Sequence, residues 1–156
     1  MPRTVYLIVY SSRLFPAHWS LWIPSVVLPV VGKRLHATGD AMNGFEIAFE
    51  RNYNLTADSR QYQLVELGQI LKDHVVDSDP SNGPSTDQKP LHYLEQLISS
   101  VPAPGPSLVS AASRGQRQRV EIQNCQTWLR AGVALLVQNG VMDQSALQAV
   151  DDAPKN

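Results

Sequence analysis

Apolar positions first alternate with polar ones and later recur at spacings of three and four, so a strand-forming half precedes a helical half. Arg3 to Tyr10 is rich in β-branched and aromatic residues and predicts a strand buried on both faces. Ser11 to Ala17 reads as a turn. His18 to Ile23 predicts a second strand, with His18, Ser20 and Trp22 on one face and Trp19, Leu21 and Ile23 on the other. Pro24 and Pro29 make an interior strand unfavourable between them and predict a loop or edge insert over 24–31. Gly32 to Thr38 predicts a third strand, with Arg34, His36 and Thr38 on one face. Gly39-Asp40 is a turn signal. Gly44 to Tyr53 predicts a fourth strand in which Phe45, Ile47 and Phe49 alternate with Glu46, Ala48 and Glu50. Tyr62 to Leu67 is a shorter apolar segment. Over Gly68 to Val76, periodicity leaves helix and extended chain both open.

The period then changes. Asp77 to Lys89, rich in Ser, Pro, Asp, Asn and Gly, predicts a mobile loop. Leu91 to Val101 has helical spacing through Leu91, Leu94, Leu97 and Ile98, and Pro102 to Pro106 ends it. Ser107 to Gly115 reads as a second loop, and Val120 to Ile122 as a short extended lead-in. Trp128, Leu129, Gly132, Val133, Leu136 and Val137 then mark one face of a helix capped by Asn124 and stopped by Gly140. Asp143 to Val150 predicts a last short helix with Asp143 as its cap, followed by a frayed tail over about 151–156. Strands followed by helices predict an α+β fold, an antiparallel sheet packed on helices, in a single domain over 1–156.

Composition narrows the class. A chain of 156 residues with 43% hydrophobic content supports one sizeable core, and a net charge of −1 offers no electrostatic case for nucleic acid. One cysteine excludes a disulfide framework and a paired-thiolate zinc site, and fits a reducing compartment. No secretory signal is evident around Val5 to Tyr10. The run from Trp19 to Val31 is broken by prolines and falls short of the ~20 residues a spanning helix needs. The expectation is a cytoplasmic protein with no spanning segment, and the Asn54-Leu55-Thr56 sequon is taken as chance.

Chemistry concentrates on Cys125. A thiol at a helix start feels the positive pole of the helix, which favours the thiolate. His18 and His36, on neighbouring strands, are candidates for a base and its orienting group. The ordered set His18-Trp19-Ser20-Leu21-Trp22, Leu35-His36-Ala37-Thr38-Gly39 and Asn124-Cys125-Gln126 resembles the circularly permuted papain-like fold of the NlpC superfamily. It is most similar to the branch holding lecithin:retinol acyltransferase and the H-rev-like phospholipid-modifying enzymes. The resemblance implies Cys125 as nucleophile, His18 as base and His36 as orienting residue. The sequence departs from that branch in the proline-containing insert, and in Gln126-Thr127-Trp128, which stands in place of Glu-His-Phe.

The expected activity is that of a cysteine-dependent hydrolase or acyltransferase, working on an amide or ester through a thioester. It needs no cofactor or metal, and its substrate would be a small-molecule, lipid or peptide acyl compound. The Cys125 backbone N–H is one candidate oxyanion donor, with Tyr10 or Gln123 as the second. Trp19 and Trp22 are expected to line a binding pocket or the core. Zinc held by His18, His36 and Cys125 lacks the short ligand spacing such sites show. His74 and His92, beside segments read as mobile, carry no expected role, and Lys33, Arg34 and Asp40 suggest a surface ion network around His36. The competing function is a small-molecule binding protein, or a non-hydrolytic biosynthetic enzyme, on the same fold. A partner-binding role for the insert is a third.

Overall fold

The computed structural model describes residues 2–12, 16–40, 42–57, 60–105 and 124–156. Their strands are β1 (Arg3–Tyr10), β2 (His18–Pro24), β3 (Val31–Asp40), β4 (Gly44–Asn54), β5 (Tyr62–Ile70) and β6 (Ser85–Asp87). They form one sheet in the order β5-β1-β2-β3-β4-β6, and every neighbouring pair is antiparallel. Three helices follow: α1 (Tyr93–Ser99), α2 (Cys125–Gln138) and α3 (Ser145–Asp152). The fold is α+β.

Period-two alternation decides which face is covered. Val5, Leu7 and Val9 of β1, Trp19, Leu21 and Ile23 of β2, and Leu35 and Ala37 of β3 meet Leu94, Ile98, Trp128, Leu129, Val133 and Val150 in the main core. All three helices therefore pack on one side. The opposite face carries a smaller cluster of Ile8, Tyr10, Trp22 and Leu55, flanked by Tyr6 and Tyr53. Among the described residues, no helix is long and apolar enough to cross a membrane.

Several expectations change. The segment read as a mobile loop, 77–89, holds a 3-10 turn at Pro80–Asn82 and strand β6, which pairs with β4. Asp79 accepts from Ser81 N, and the Asn52 amide donates to Asp79 O and Gly83 O, so polar residues order this stretch without an apolar core. Gly68 to Ile70 extends β5, and Lys72–His74 is a 3-10 turn. The tail expected to fray is tied down: Trp19 Nε1 donates to Pro154 O (3.0 Å) and Ala17 N to Lys155 O (2.8 Å). In the insert, Val26, Val27, Leu28 and Val30 are exposed. The loop read over 107–115 and the lead-in at 120–122 fall outside the described residues.

Candidate functional site

Two of the three expected catalytic residues meet directly. His18 opens β2 and His36 lies in β3, and His18 Nε2 stands 2.7 Å from His36 Nδ1. The backbone ladder between these strands runs from Pro24↔Gly32 to Leu21↔Leu35 and stops there. The imidazole pair thus bridges β2 and β3 beyond the last paired residues, on the face away from the helices. Behind His36 stands Glu50, with Oε2 3.5 Å from His36 Nε2. Glu50 also binds Arg34, whose Nη1 donates to the Tyr10 hydroxyl (2.7 Å) and whose guanidinium lies over the Tyr53 ring. Tyr10 stacks on His18. Next to the pair, the Ser20 hydroxyl is fully buried without a hydrogen-bond partner among the described residues.

Electrostatics hold both rings neutral. Burial lowers the His18 pKa to about 3, with His36, Arg34 and Arg60 adding to the effect and Glu50 opposing it. Burial, then Arg34 and Arg60, lowers His36 to about 3 as well. Arg34 is itself buried rather than part of the surface network expected around His36, and so is Lys33; only Asp40 is exposed, at the end of β3, which continues through the Gly39-Asp40 pair read as a turn.

Cys125 lies on the helix side of the sheet, opposite the face that carries the imidazoles. It is the first residue of α2, fixed by a capping box in which the Asn124 side chain accepts from Gln126 N and Thr127 N and Thr127 Oγ1 faces Asn124 N. Gly140, with φ of 72°, follows the helix as expected. The sulfur lies 3.9 Å from Ala17 O, and the Trp19 N–H points at it, so the thiol rests on the backbone to either side of His18. Burial raises the thiol pKa, against the pull of the Trp19, Gln126 and Cys125 N–H groups. At rest the thiol is protonated, and no hydrogen bond joins it to either imidazole.

The remaining expected residues divide. Tyr10 belongs to the imidazole cluster. Trp19 and Trp22 are buried core residues, on the helix face and the opposite face respectively. Gln123 lies outside the described residues. Gln126 had not been singled out: its Nε2 donates to Ala17 O (2.8 Å) and Lys155 O (2.9 Å), so an amide donor holds a carbonyl oxygen beside the thiol. Its place in the first turn after Cys125 was the available signal. His92 was given no role, yet it is buried with Nε2 2.7 Å from Glu95 Oε2. Among the described residues, no group of His, Cys, Asp and Glu is arranged to hold a metal.

Residues 5–143 match the family described as DUF6540, a family of unknown function, and the chain belongs to it. Comparison with curated proteins and with solved structures gave no match.

Proposed function

We propose that this chain is a cysteine-dependent hydrolase or acyltransferase, with Cys125 as nucleophile, His18 as base and His36 as the group that orients it. One observation carries the reading. Cys125 opens a capped helix with its sulfur against the backbone flanking His18, while His18 is hydrogen-bonded to His36. The order of these elements, strands before the nucleophile helix, also agrees with the permuted papain-like resemblance. In the proposed reaction His18 keeps its Nε2 bond to His36 while its Nδ1 reaches the sulfur beyond the end of the β2–β3 ladder and takes the thiol proton. The thiolate attacks an acyl carbonyl, and the oxyanion is received by the Cys125 N–H and by the Gln126 amide once one of its two N–H groups leaves Lys155 O. His18 returns the proton to the leaving group, and water, an amine or a hydroxyl then cleaves the thioester.

A second reading, a binding protein on the same fold, is favoured by the resting charges: a protonated thiol beside two neutral imidazoles. Iodoacetamide alkylation across pH separates the two. The thiol-enzyme reading expects Cys125 to react in the folded protein and Cys125→Ala to abolish turnover of an activated ester. It further expects His18→Ala to slow alkylation at neutral pH. A thiol that stays inert until the protein unfolds overturns that reading, and saturable ligand binding that survives Cys125→Ala supports the second.

A further inference from the structure

We propose that residues 153–156 form an autoinhibitory strap at the thiol site, one that occupies the Gln126 amide until an acyl substrate displaces it; the inference rests on the thiol-enzyme reading. The donors around Cys125 are turned toward the chain's own carbonyls. Gln126 Nε2 donates to Lys155 O (2.9 Å), and Ala17 N donates to the same oxygen (2.8 Å). Trp19 Nε1 donates to Pro154 O (3.0 Å). Ala17 O and Trp19 N are the backbone groups that meet the sulfur, and Gln126 follows Cys125 in α2, so all three donors come from residues that surround the thiol.

Two consecutive carbonyls are thus held where an acyl substrate would need donors. A side-chain amide has two N–H groups to give. One Gln126 N–H goes to Ala17 O (2.8 Å) and the other to Lys155 O, so the resting amide has none left for an oxyanion. Ala17 O belongs to the segment that leads into β2, whereas Lys155 O belongs to the strap. The strap is the side that can leave.

Its fastening is polar. Of residues 153–156 only Ala153 enters the core; Pro154 is half-buried, and Lys155 and Asn156 are exposed. The Lys155 ammonium donates to Asp151 O (2.8 Å), Ala153 O (2.9 Å) and Val150 O (3.4 Å), carbonyls at the end of α3, and lies over the Trp19 ring. Folding the side chain back on α3 sets the Lys155 carbonyl against Ala17. Hydrogen bonds of this kind are each worth little net, so the strap can open without unfolding the domain. A cavity of about 400 Å³ whose walls include Trp19, Gln126 and Lys155 gives an entering substrate room beside it.

Acylation of Cys125 in the intact chain by p-nitrophenyl acetate tests this, with exchange of the Trp19 indole N–H, read by NMR, as the direct report on the strap. Lys155→Met removes the fastening at an exposed position, and Lys155→Glu adds repulsion from the α3 carbonyls. Both should speed indole exchange. Acylation should rise about fivefold in Lys155→Met, the worth of roughly one net hydrogen bond, and further in Lys155→Glu. The gain should vanish when Gln126→Ala is added, because the strap acts through that amide. Faster indole exchange with unchanged or slower acylation overturns the strap, since a merely structural tether would behave that way. So does a gain that persists with Gln126→Ala, or indole exchange that neither variant alters. A Cys125 that is not acylated in the native chain or in either variant, although indole exchange rises, overturns the thiol-enzyme reading itself and leaves the strap nothing to inhibit.

Discussion

His18 Nε2 and His36 Nδ1 share one proton across 2.7 Å, at the level where β2 and β3 no longer pair. Glu50 facing His36 Nε2 favours a proton there, which makes His36 Nδ1 the acceptor and His18 Nε2–H the donor. His18 Nδ1 is then the unprotonated nitrogen of the ring, the one that carries a lone pair. A neutral pair of this kind orients His18 as a base without charging it, which is what the proposed thiol chemistry requires of His36.

Acid should therefore weaken the fold through these two rings. Each has a folded pKa of about 3 against 6.5 when exposed, so below pH 6.5 the unfolded chain binds more protons. Their stabilising contribution is complete above that value and declines as pH falls from 6.5 toward 3, by at most ~1.4 kcal/mol per pH unit for each ring. Urea unfolding from pH 7 to 4 should show this slope, reduced by about one proton in His36→Asn. An identical slope in that variant would assign the acid sensitivity elsewhere.

Glu95 should be the most sensitive carboxylate of the fold. Burial pushes its pKa up, but the hydrogen bonds from Arg51 and His92 outweigh burial and hold it at about 2. Its contribution is thus present above the ordinary value of 4.5 and is lost as pH falls toward 2. Glu95→Ala leaves Arg51 and Lys33 buried without their shared anion and should cost about 3–5 kcal/mol in urea unfolding. Glu95→Gln keeps the shape and should fall between that variant and the native chain.

Much of the fold was legible because β1 to β4 advertise themselves by alternation, and because Asn124 and Gly140 bracket α2. The 77–89 segment was not: its order comes from Asn52, some thirty residues earlier, reaching two backbone carbonyls. His18 and His36 were readable as a pair since adjacent strands with matching faces bring them together. Local pattern gave no hint that the β2–β3 ladder stops at Leu21, or that the thiol and the imidazoles lie on opposite faces of the sheet there. The Glu95 cluster was hidden for a similar reason. A bulge between Lys33 and Arg51 cannot be seen in a run that alternates well on either side.

Gly32 should tolerate no side chain. A Cβ there would run into Ile23 O and lie 2.8 Å from the Pro24 Cα, both backbone atoms of the paired strand. Gly32→Ala must push β2 and β3 apart next to the bulge and should destabilise by about 3 kcal/mol. Gly132→Ala is the comparison, since its Cβ would meet only the Ile98 side chain, at 2.9 Å. That side chain can shift by a few tenths of an ångström, and alanine favours the helix. Thermal melting should therefore rank Gly32→Ala well below Gly132→Ala, and the reverse order would mean that the two strands part more readily than their pairing implies.

Gln126 should matter to chemistry more than to folding. Its amide donates to Ala17 O and Lys155 O at an exposed helix start, so Gln126→Ala should cost only about 1 kcal/mol in urea unfolding. If the amide exchanges its bond to Lys155 O for one to the oxyanion in the proposed reaction, its loss should slow acylation of Cys125 by an activated ester about 10²–10³-fold. Iodoacetamide alkylation, which develops no oxyanion, should proceed at nearly the native rate. The contrast between the two reagents is the decisive readout. Equal slowing of both would mean that Gln126 positions the thiol, whereas an unchanged acylation rate would remove it from the mechanism and leave the Cys125 N–H as the remaining donor.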